Sequence, residues 1–238
     1  FGVPEYRNVF VSVDREWSDL QVNFPGLSKE HVIALRIYNL EHPKYYAALN
    51  RLFWDAENTV KIEELDVWKG FLFYVDQGLN KLSVAQAEGA PEKLFRVTWL
   101  PEGHLSSYYT PGNNVIFKAM MSASIEEQWA FYYDGAAKAM ADNKVPVVLE
   151  FDAELSKLAS RLYSQEGQTN VHISKFAGEK EHIFRPRQRA RVDSIILQAP
   201  LQPGHPPLRR ILLRHKPSLK ACVELLDPER TSNPKLLE

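Results

Sequence analysis

The sequence lacks the features that would stabilise it by cross-links or direct it to a large charged partner. It has 238 residues and a single cysteine, Cys222, so no disulfide bond can form within the chain. One cysteine fits a reducing compartment, and it equally fits a secreted protein that needs no disulfides. No apolar run approaches the roughly 18 residues of a membrane span. The formal net charge of −1 provides no overall attraction to polyanions. We therefore expect neither a membrane nor nucleic acid as a partner.

Several cofactor and metal motifs are also missing. The sequence contains no Gly-x-Gly-x-x-Gly and no Gly-x-x-x-x-Gly-Lys-Ser/Thr, which argues against a dehydrogenase or a P-loop enzyme. The seven histidines are scattered without zinc-ligand spacing, so we expect no metal. The basic stretch at residues 185–191 is short and lies in a predicted turn. It is better suited to docking an acidic protein than to binding nucleic acid.

The first half of the chain has a helical pattern. Ser28 is a suitable N-cap for a helix over residues 29–40, and Pro43 suits the first turn of a second helix that ends near residue 56. A third helix is predicted over about 62–82, interrupted at Gly70 and Gly78. Residues 83–91 resemble a loop.

After Pro91 the pattern changes to strands. The residues rich in β-formers predict strands at 94–99, 115–121, 145–151, 181–184, 191–197 and 211–214. Two helices are predicted among them, from Ser124 with a capping box at Glu127 to residue 141, and over 154–163. This layout predicts an α+β protein with a single domain at 1–238. Its parts are a helical N-terminal cap at about 28–92, a strand-rich core at about 93–215 and a tail at 216–238.

Three short segments carry candidate chemistry. They are Arg96 within a strand, Ser122-Ala123-Ser124 after an apolar strand, and Glu179-Lys180-Glu181 before another strand. Each alone has an ordinary explanation. A strand arginine is usually a surface residue, Ser-Ala-Ser before a helix is usually an N-cap, and Glu-Lys-Glu is usually a solvated run of charge. The order and context of the three together make them distinctive.

In that order the segments resemble the mono-ADP-ribosyltransferase family of the arginine–serine–glutamate class, in its bacterial toxin and effector type. Tyr109-Thr110-Pro111-Gly112 before the serine strand and Ile173-Ser174-Lys175-Phe176 before the glutamates add to the resemblance. Residues 45–50 resemble part of the family's helical cap. The departure is Ala123, where the family most often has threonine. The resemblance covers about residues 28–215 and implies a mixed, mostly antiparallel, two-sheet β core.

The resemblance implies NAD as the substrate and ADP-ribose transfer to a protein. Breaking the bond between nicotinamide and ribose builds positive charge on the ribose, and a carboxylate beside that ring stabilises the charge. We expect Glu181 to supply that carboxylate and Ser122 to orient it. Glu179 is expected to face the acceptor and to deprotonate its nucleophile. Alternation along a strand predicts that the two glutamates share one face.

The predicted contacts to NAD extend beyond the catalytic pair. Arg96 offers a planar fork to phosphate oxygens. The full set expected to bind NAD is Arg96, Thr98, Gly103, Phe117, Ser122, Ser124 and Glu181. Phe117 has the alternative of a core position. Phe176 is predicted to recognise the acceptor protein.

The acceptor and the setting are less defined than the NAD chemistry. Arginine is the favoured acceptor, with threonine or another hydroxyl as an alternative, and ubiquitin, actin, kinases and small GTPases are candidate targets. We expect a monomeric bacterial effector, secreted and active in the host cytoplasm, with a role in virulence. The start at Phe1 without an initiator methionine predicts a trimmed chain that has lost its targeting segment. Two alternatives stay open, an NAD glycohydrolase toxin and a catalytically silent binding scaffold.

Overall fold

The structure is a computed structural model that describes residues 4–54, 66–127, 140, 142–165, 167–175, 177–200 and 206–216. The helices are α1 (Pro4–Asn23), α2 (Lys29–Tyr38), α3 (Tyr45–Trp54), α4 (Lys69–Gln86), α5 (Glu102–Tyr108) and α6 (Ala153–Ser156). Two short 3₁₀ helices cover Ala87–Gly89 and Ala177–Glu179. Within this described part, none of the helices combines the length and hydropathy of a membrane span.

Eight strands form the second half of the described chain. They are β1 (Leu94–Pro101), β2 (Asn114–Phe117), β3 (Met121–Ser124), β4 (Lys144–Phe151), β5 (Ala159–Arg161), β6 (Glu181–Phe184), β7 (Gln188–Gln198) and β8 (Leu208–His215). Their order is β2-β7-β8-β4-β1-β3-β6-β5, and only β4 and β8 run parallel. The sheet is therefore mixed and mostly antiparallel, as predicted.

The strands divide into a group of five and a group of three. β1 pairs with β4 along its whole length, from Leu94 opposite Phe151 to Pro101 opposite Lys144. On its other side β1 meets β3 at one residue pair, Phe95 opposite Ser124. The two expected sheets are thus joined into one continuous sheet, and this single residue pair links them. The narrow junction brings the start of β1 beside β3.

The helices pack together and against the three-stranded group. Helix α1 was not predicted, although Val9, Val13 and Leu20 follow helical spacing and are all buried. They join one hydrophobic cluster with α2, α3 and α4. Met120 and Ile183 belong to that cluster too, so the helical layer covers the strands that carry the serine and glutamate motifs.

Helix α4 is more continuous than predicted and ends four residues later. It begins at Lys69, next to Gly70, and passes through Gly78 without interruption. A Cβ atom at Gly78 would lie 3.1 Å from Leu35 Cδ1, so this glycine allows α2 and α4 to pack closely. The helix also extends to Gln86, into the predicted loop. The Gln86 side chain hydrogen bonds to the backbone of Arg161 in β5, a tertiary contact that local propensity does not report.

Two other predicted elements differ in type or number. The predicted strand at 115–121 is two strands, β2 and β3, which pair with β7 and β6 respectively. An apolar run does not reveal where a chain changes its strand partner. The predicted helix at 154–163 stops at Ser156 and is followed by β5, because pairing with β6 outweighs helical propensity there. The Ser28 N-cap of α2 is confirmed. Most of the helix predicted from Ser124 to residue 141 lies outside the described residues.

Candidate active site

A cavity of about 230 Å³ lies where the helical layer meets β1, β3 and β6. Its lining combines the predicted motifs with residues of α2, α3 and the segment between them. The lining residues are Tyr38, Asn39, Glu41, Tyr46, Asn50, Arg96, Met120, Ser122, Glu179, Glu181 and Ile183. The tertiary structure therefore brings Arg96, Ser122, Glu179 and Glu181 to one place from three separate segments.

Arg96 connects two strands of the site. Its Nη1 atom donates hydrogen bonds to the backbone oxygen of Ser122 at 2.7 Å and to Ser122 Oγ at 2.9 Å. Burial lowers the pKa of the Arg96 guanidinium, which nevertheless keeps its charge because an arginine does not lose its proton in proteins. No other hydrogen bond to this guanidinium occurs among the described residues. The remaining N–H donors are thus available to an anion in the cavity.

Glu181 is the first residue of β6 and the most buried carboxylate of the cavity. Its Oε2 atom accepts a hydrogen bond from Ser174 Oγ at 2.9 Å. Burial raises the pKa of Glu181 to about 7, with a further increase from Glu179, while Ser174 and Arg96 oppose the shift. The carboxylate is therefore held in place, and its burial makes it costly to ionise.

Glu179 reaches the cavity by a route that differs from the predicted strand alternation. It ends the 3₁₀ helix Ala177–Glu179 and is not in a strand. Lys180 follows with φ of 49°, a left-handed conformation that is uncommon outside glycine. The prediction that one strand face carries both glutamates is wrong. This turn, and not strand alternation, brings Glu179 to the cavity that Glu181 lines.

The surroundings of Glu179 are acidic. Partial burial and the charge of Glu41 both raise the pKa of Glu179. Glu41 is itself held from two sides, by Lys44 Nζ at 2.9 Å and by the Tyr46 hydroxyl at 3.3 Å. Glu179 is the more exposed of the two predicted glutamates. The outer part of the cavity thus presents carboxylates to whatever approaches from solvent.

The two serines of the motif make different contacts. Ser122 accepts from Arg96 and lines the cavity. Ser124 Oγ donates to the backbone oxygen of Glu179 at 2.6 Å and accepts from the backbone N–H of Glu126 at 3.0 Å. The hydrogen bond to Glu181, predicted to come from Ser122, comes instead from Ser174. Ser122 therefore anchors Arg96, and Ser124 anchors the turn that carries Glu179.

The other predicted contact residues lie away from the cavity lining. Thr98 is further along β1, opposite Val147, and Gly103 is exposed in α5. Phe117 is buried in the core, where its ring packs against that of Phe151 with centroids 5.9 Å apart. Phe117 therefore has the core position that was the alternative to an NAD contact. Phe176 lies outside the described residues.

Sequence reasoning missed part of the lining. Tyr38 is buried at the end of α2, and burial raises its pKa, so its hydroxyl stays protonated. Tyr46 and Asn50 are four residues apart on α3, so both lie on one face of the helix. This spacing could have identified them from the sequence as residues that face the same site. Ser174, which hydrogen bonds to Glu181, lay in the segment that added to the resemblance but was assigned no role there. Among the described residues no cluster of side chains suited to a metal ion occurs.

Comparison with known proteins defines the fold. No protein-family model matches the chain, and no curated protein matches it. Solved structures do match, and ADP-ribosyltransferases are among them. The chain is similar to HopU1 of Pseudomonas syringae pv. Tomato DC3000, with TM-score 0.60 and 11% identity over 91% of this chain and 89% of that one. It is also similar to the Vis toxin of Vibrio splendidus, with TM-score 0.53 and 15% identity over 92% and 88% of the two chains.

The chain therefore has the mono-ADP-ribosyltransferase fold. The predicted α+β class is confirmed, and so is the family resemblance at the level of the fold. The Vis structure in complex with agmatine matches as well, with TM-score 0.52 and 15% identity over 89% of this chain and 86% of that one.

Proposed function

We propose that this protein transfers ADP-ribose from NAD to a side chain of an acceptor protein. The observation that carries the proposal is the shared cavity of Arg96, Ser122, Glu179 and Glu181. The cavity adjoins the helical layer of an ADP-ribosyltransferase fold. The cavity volume of about 230 Å³ suits the nicotinamide and ribose end of NAD, with the adenosine end extending outward. Thr98 and Gly103 remain proposed contacts for that outer end.

Arg96 binds the pyrophosphate in this proposal. Its guanidinium has a fixed orientation because Ser122 holds Nη1 through two oxygen atoms. The other donors form a planar fork that matches phosphate oxygens. A preorganised fork loses little conformational entropy on binding, so the anchor on Ser122 contributes to NAD affinity.

Glu181 acts on the bond that breaks. The electron pair of the C–N bond leaves with nicotinamide, and positive charge develops on the ribose. The Glu181 carboxylate stabilises that charge more than it stabilises bound NAD, which lowers the barrier. The positive nicotinamide ring of NAD also favours the ionised carboxylate, so substrate binding lowers the raised pKa of Glu181.

Glu179 acts on the acceptor. A nucleophilic nitrogen or oxygen of the acceptor forms the new bond to the ribose and gives its proton to Glu179. Glu41 lies close enough to raise the pKa of Glu179, so the outer cavity favours a cationic acceptor over a neutral one. Arginine is therefore the favoured acceptor, and threonine or another hydroxyl is the alternative.

The biological setting follows the fold neighbours. HopU1 comes from Pseudomonas syringae pv. Tomato DC3000, and Vis is a toxin of Vibrio splendidus. We propose that this chain is likewise a secreted effector that modifies a host protein. Actin, small GTPases and ubiquitin are candidate acceptors.

Incubation with labelled NAD, with and without a cell lysate, tests the proposal. Label on protein is the expected result. Free ADP-ribose without labelled protein supports an NAD glycohydrolase, and absence of both products supports a binding scaffold. Glu181→Ala should lose both transfer and hydrolysis by at least about a hundredfold, the scale of one preorganised electrostatic group. Glu88→Ala, at an exposed glutamate away from the cavity, is the matched control.

A further inference from the structure

A second cleft lies on the opposite face of β6. Glu181 and Ile183 line the first cavity, whereas His182 between them lines a cleft of about 790 Å³. Successive strand residues face opposite sides of a sheet, so the two sites are separated by the strand itself. The volume lies within the range of small-molecule binding sites, roughly 300–1,000 Å³.

Arg161 in β5 lines this second cleft, and no described carboxylate forms an ion pair with it. The Gln86 side chain holds the backbone N–H and carbonyl of Arg161, so the residue is fixed in position. Its Nε atom is buried and has no hydrogen-bond partner in the part of the chain that the structure describes. The guanidinium lies 5.8 Å from the centre of the Tyr163 ring. Burial lowers the pKa of this guanidinium, which remains positively charged.

The other charged groups of the cleft do not neutralise Arg161. None of the described lining residues is a carboxylate. Lys180 is paired with Glu126, whose carboxylate is 2.6 Å from Lys180 Nζ. His182 is neutral near pH 7 because burial lowers its pKa to about 4. A partly desolvated cation without a partner costs folding free energy, and an incoming anion relieves that cost.

We propose that this cleft binds a small ligand through a phosphate group held by Arg161. The Tyr163 hydroxyl and the Gln165 amide also line the cleft and carry donor groups. A set of several donors around one cation suits the many oxygens of a phosphate better than the two of a carboxylate. The volume leaves room for the rest of a ligand of nucleotide size.

The cleft adjoins the turn that carries Glu179. Ala177, Gly178 and Lys180 belong to its lining. A bound ligand therefore contacts the segment from one side while the substrate cavity lies on the other. This site takes no part in the proposed transfer reaction, and its existence does not depend on that reaction.

Calorimetric titration with inorganic phosphate, AMP and adenosine tests the proposal in the absence of NAD. Inorganic phosphate and AMP should bind the wild-type protein, and adenosine should bind much more weakly. Arg161→Gln should weaken phosphate binding by about tenfold or more, equivalent to about 1.4 kcal/mol. Arg161→Lys keeps the positive charge but loses the planar fork, so its phosphate affinity should lie between those of the wild type and Arg161→Gln. Arg189→Gln, at an exposed arginine of β7, is the matched control and should bind as the wild type does.

Three outcomes overturn the proposal. They are no binding of phosphate or AMP to the wild type, equal affinity in Arg161→Gln, and equal affinity for adenosine and AMP. Equal affinity in Arg161→Gln together with loss of phosphate binding in Arg96→Ala means that the phosphate binds in the first cavity. Thermal unfolding of each variant shows whether reduced phosphate binding comes from the changed side chain or from an unfolded protein. If Arg161→Gln does not fold, the phosphate affinity of Arg161→Lys tests the proposal. Failure of NAD turnover bears on the proposed function alone.

Discussion

Ser174 Oγ donates a 2.9 Å hydrogen bond to Glu181 Oε2, the carboxylate with the most strongly raised pKa of the cavity. The bond favours the charged form and so limits the effect of burial. Ser122, the first serine of the motif, makes no such bond and holds Arg96 instead. The two serines therefore have different effects: Ser174 favours the ionised form of Glu181, and Ser122 orients Arg96.

The first prediction concerns pH. Glu181 must be ionised to stabilise the ribosyl cation, so kcat/KM should rise with pH through about 7 and level off above it. Ser174→Ala removes a bond that lowers the pKa, so the rising limb should move to higher pH. The midpoint should stay unchanged in Ser122→Ala, which is the control. A shift in Ser122→Ala with none in Ser174→Ala contradicts this assignment.

The second prediction concerns NAD affinity. Arg96→Ala should weaken NAD binding by on the order of ten- to a hundredfold, since a hydrogen bond to a charged group contributes about 1.5–3 kcal/mol. Arg96→Lys should recover only part of the affinity because it lacks the fork. Calorimetric titration with NAD measures the affinity of both variants, and Arg189→Ala, at an exposed position, is the control. The thermal unfolding of each variant is measured as well, because Arg96 also connects β1 to β3 and its loss could destabilise the fold. Unchanged affinity in Arg96→Ala assigns Arg96 to structure alone.

The third prediction separates transfer from hydrolysis. Glu179→Ala should lose protein transfer and retain much of the NAD hydrolysis, because Glu181 still stabilises the cation and water needs little positioning. Labelled NAD with an acceptor protein measures both products. Hydroxylamine at neutral pH then cleaves an arginine linkage and leaves a hydroxyl ether intact. Parallel loss of both activities refutes the separate roles, whereas a hydroxyl linkage refutes only the choice of arginine.

The fourth prediction concerns stability. A buried acid with a raised pKa disfavours its ionised form, so Glu181 destabilises the fold as pH rises from its unfolded value of 4.5 to the folded value of about 7. Glu181→Gln should therefore raise the free energy of unfolding above pH 7, by up to about 3 kcal/mol. The gain should fade as pH falls and vanish below 4.5, where both states are protonated.

Denaturant unfolding at several pH values measures this difference. Glu88→Gln, at an exposed position, should show no such trend and is the control. An equal gain at all pH values means that packing, and not ionisation, explains the effect. A gain at neutral pH together with lost activity identifies Glu181 as a residue kept for function at a cost in stability.

Local patterns predicted the parts of this protein that depend on neighbouring residues. The N-cap at Ser28 and the strand around Arg96 each follow from residue types within a few positions. The order of Arg96, Ser122 and Glu181 carried the family resemblance for the same reason. Helix α1 shows that a readable pattern also went unused, because Val9, Val13 and Leu20 have regular helical spacing.

The sequence by itself determined the α+β class, the order of the motifs and the residue types that meet in the cavity. The tertiary structure alone decided that Ser174 bonds to Glu181, that Glu41 lies near Glu179, and that the chain between β2 and β3 changes strand partner. These contacts join segments from different elements. Their formation depends on how the helices and strands pack together, whereas a motif depends only on residues adjacent in the chain.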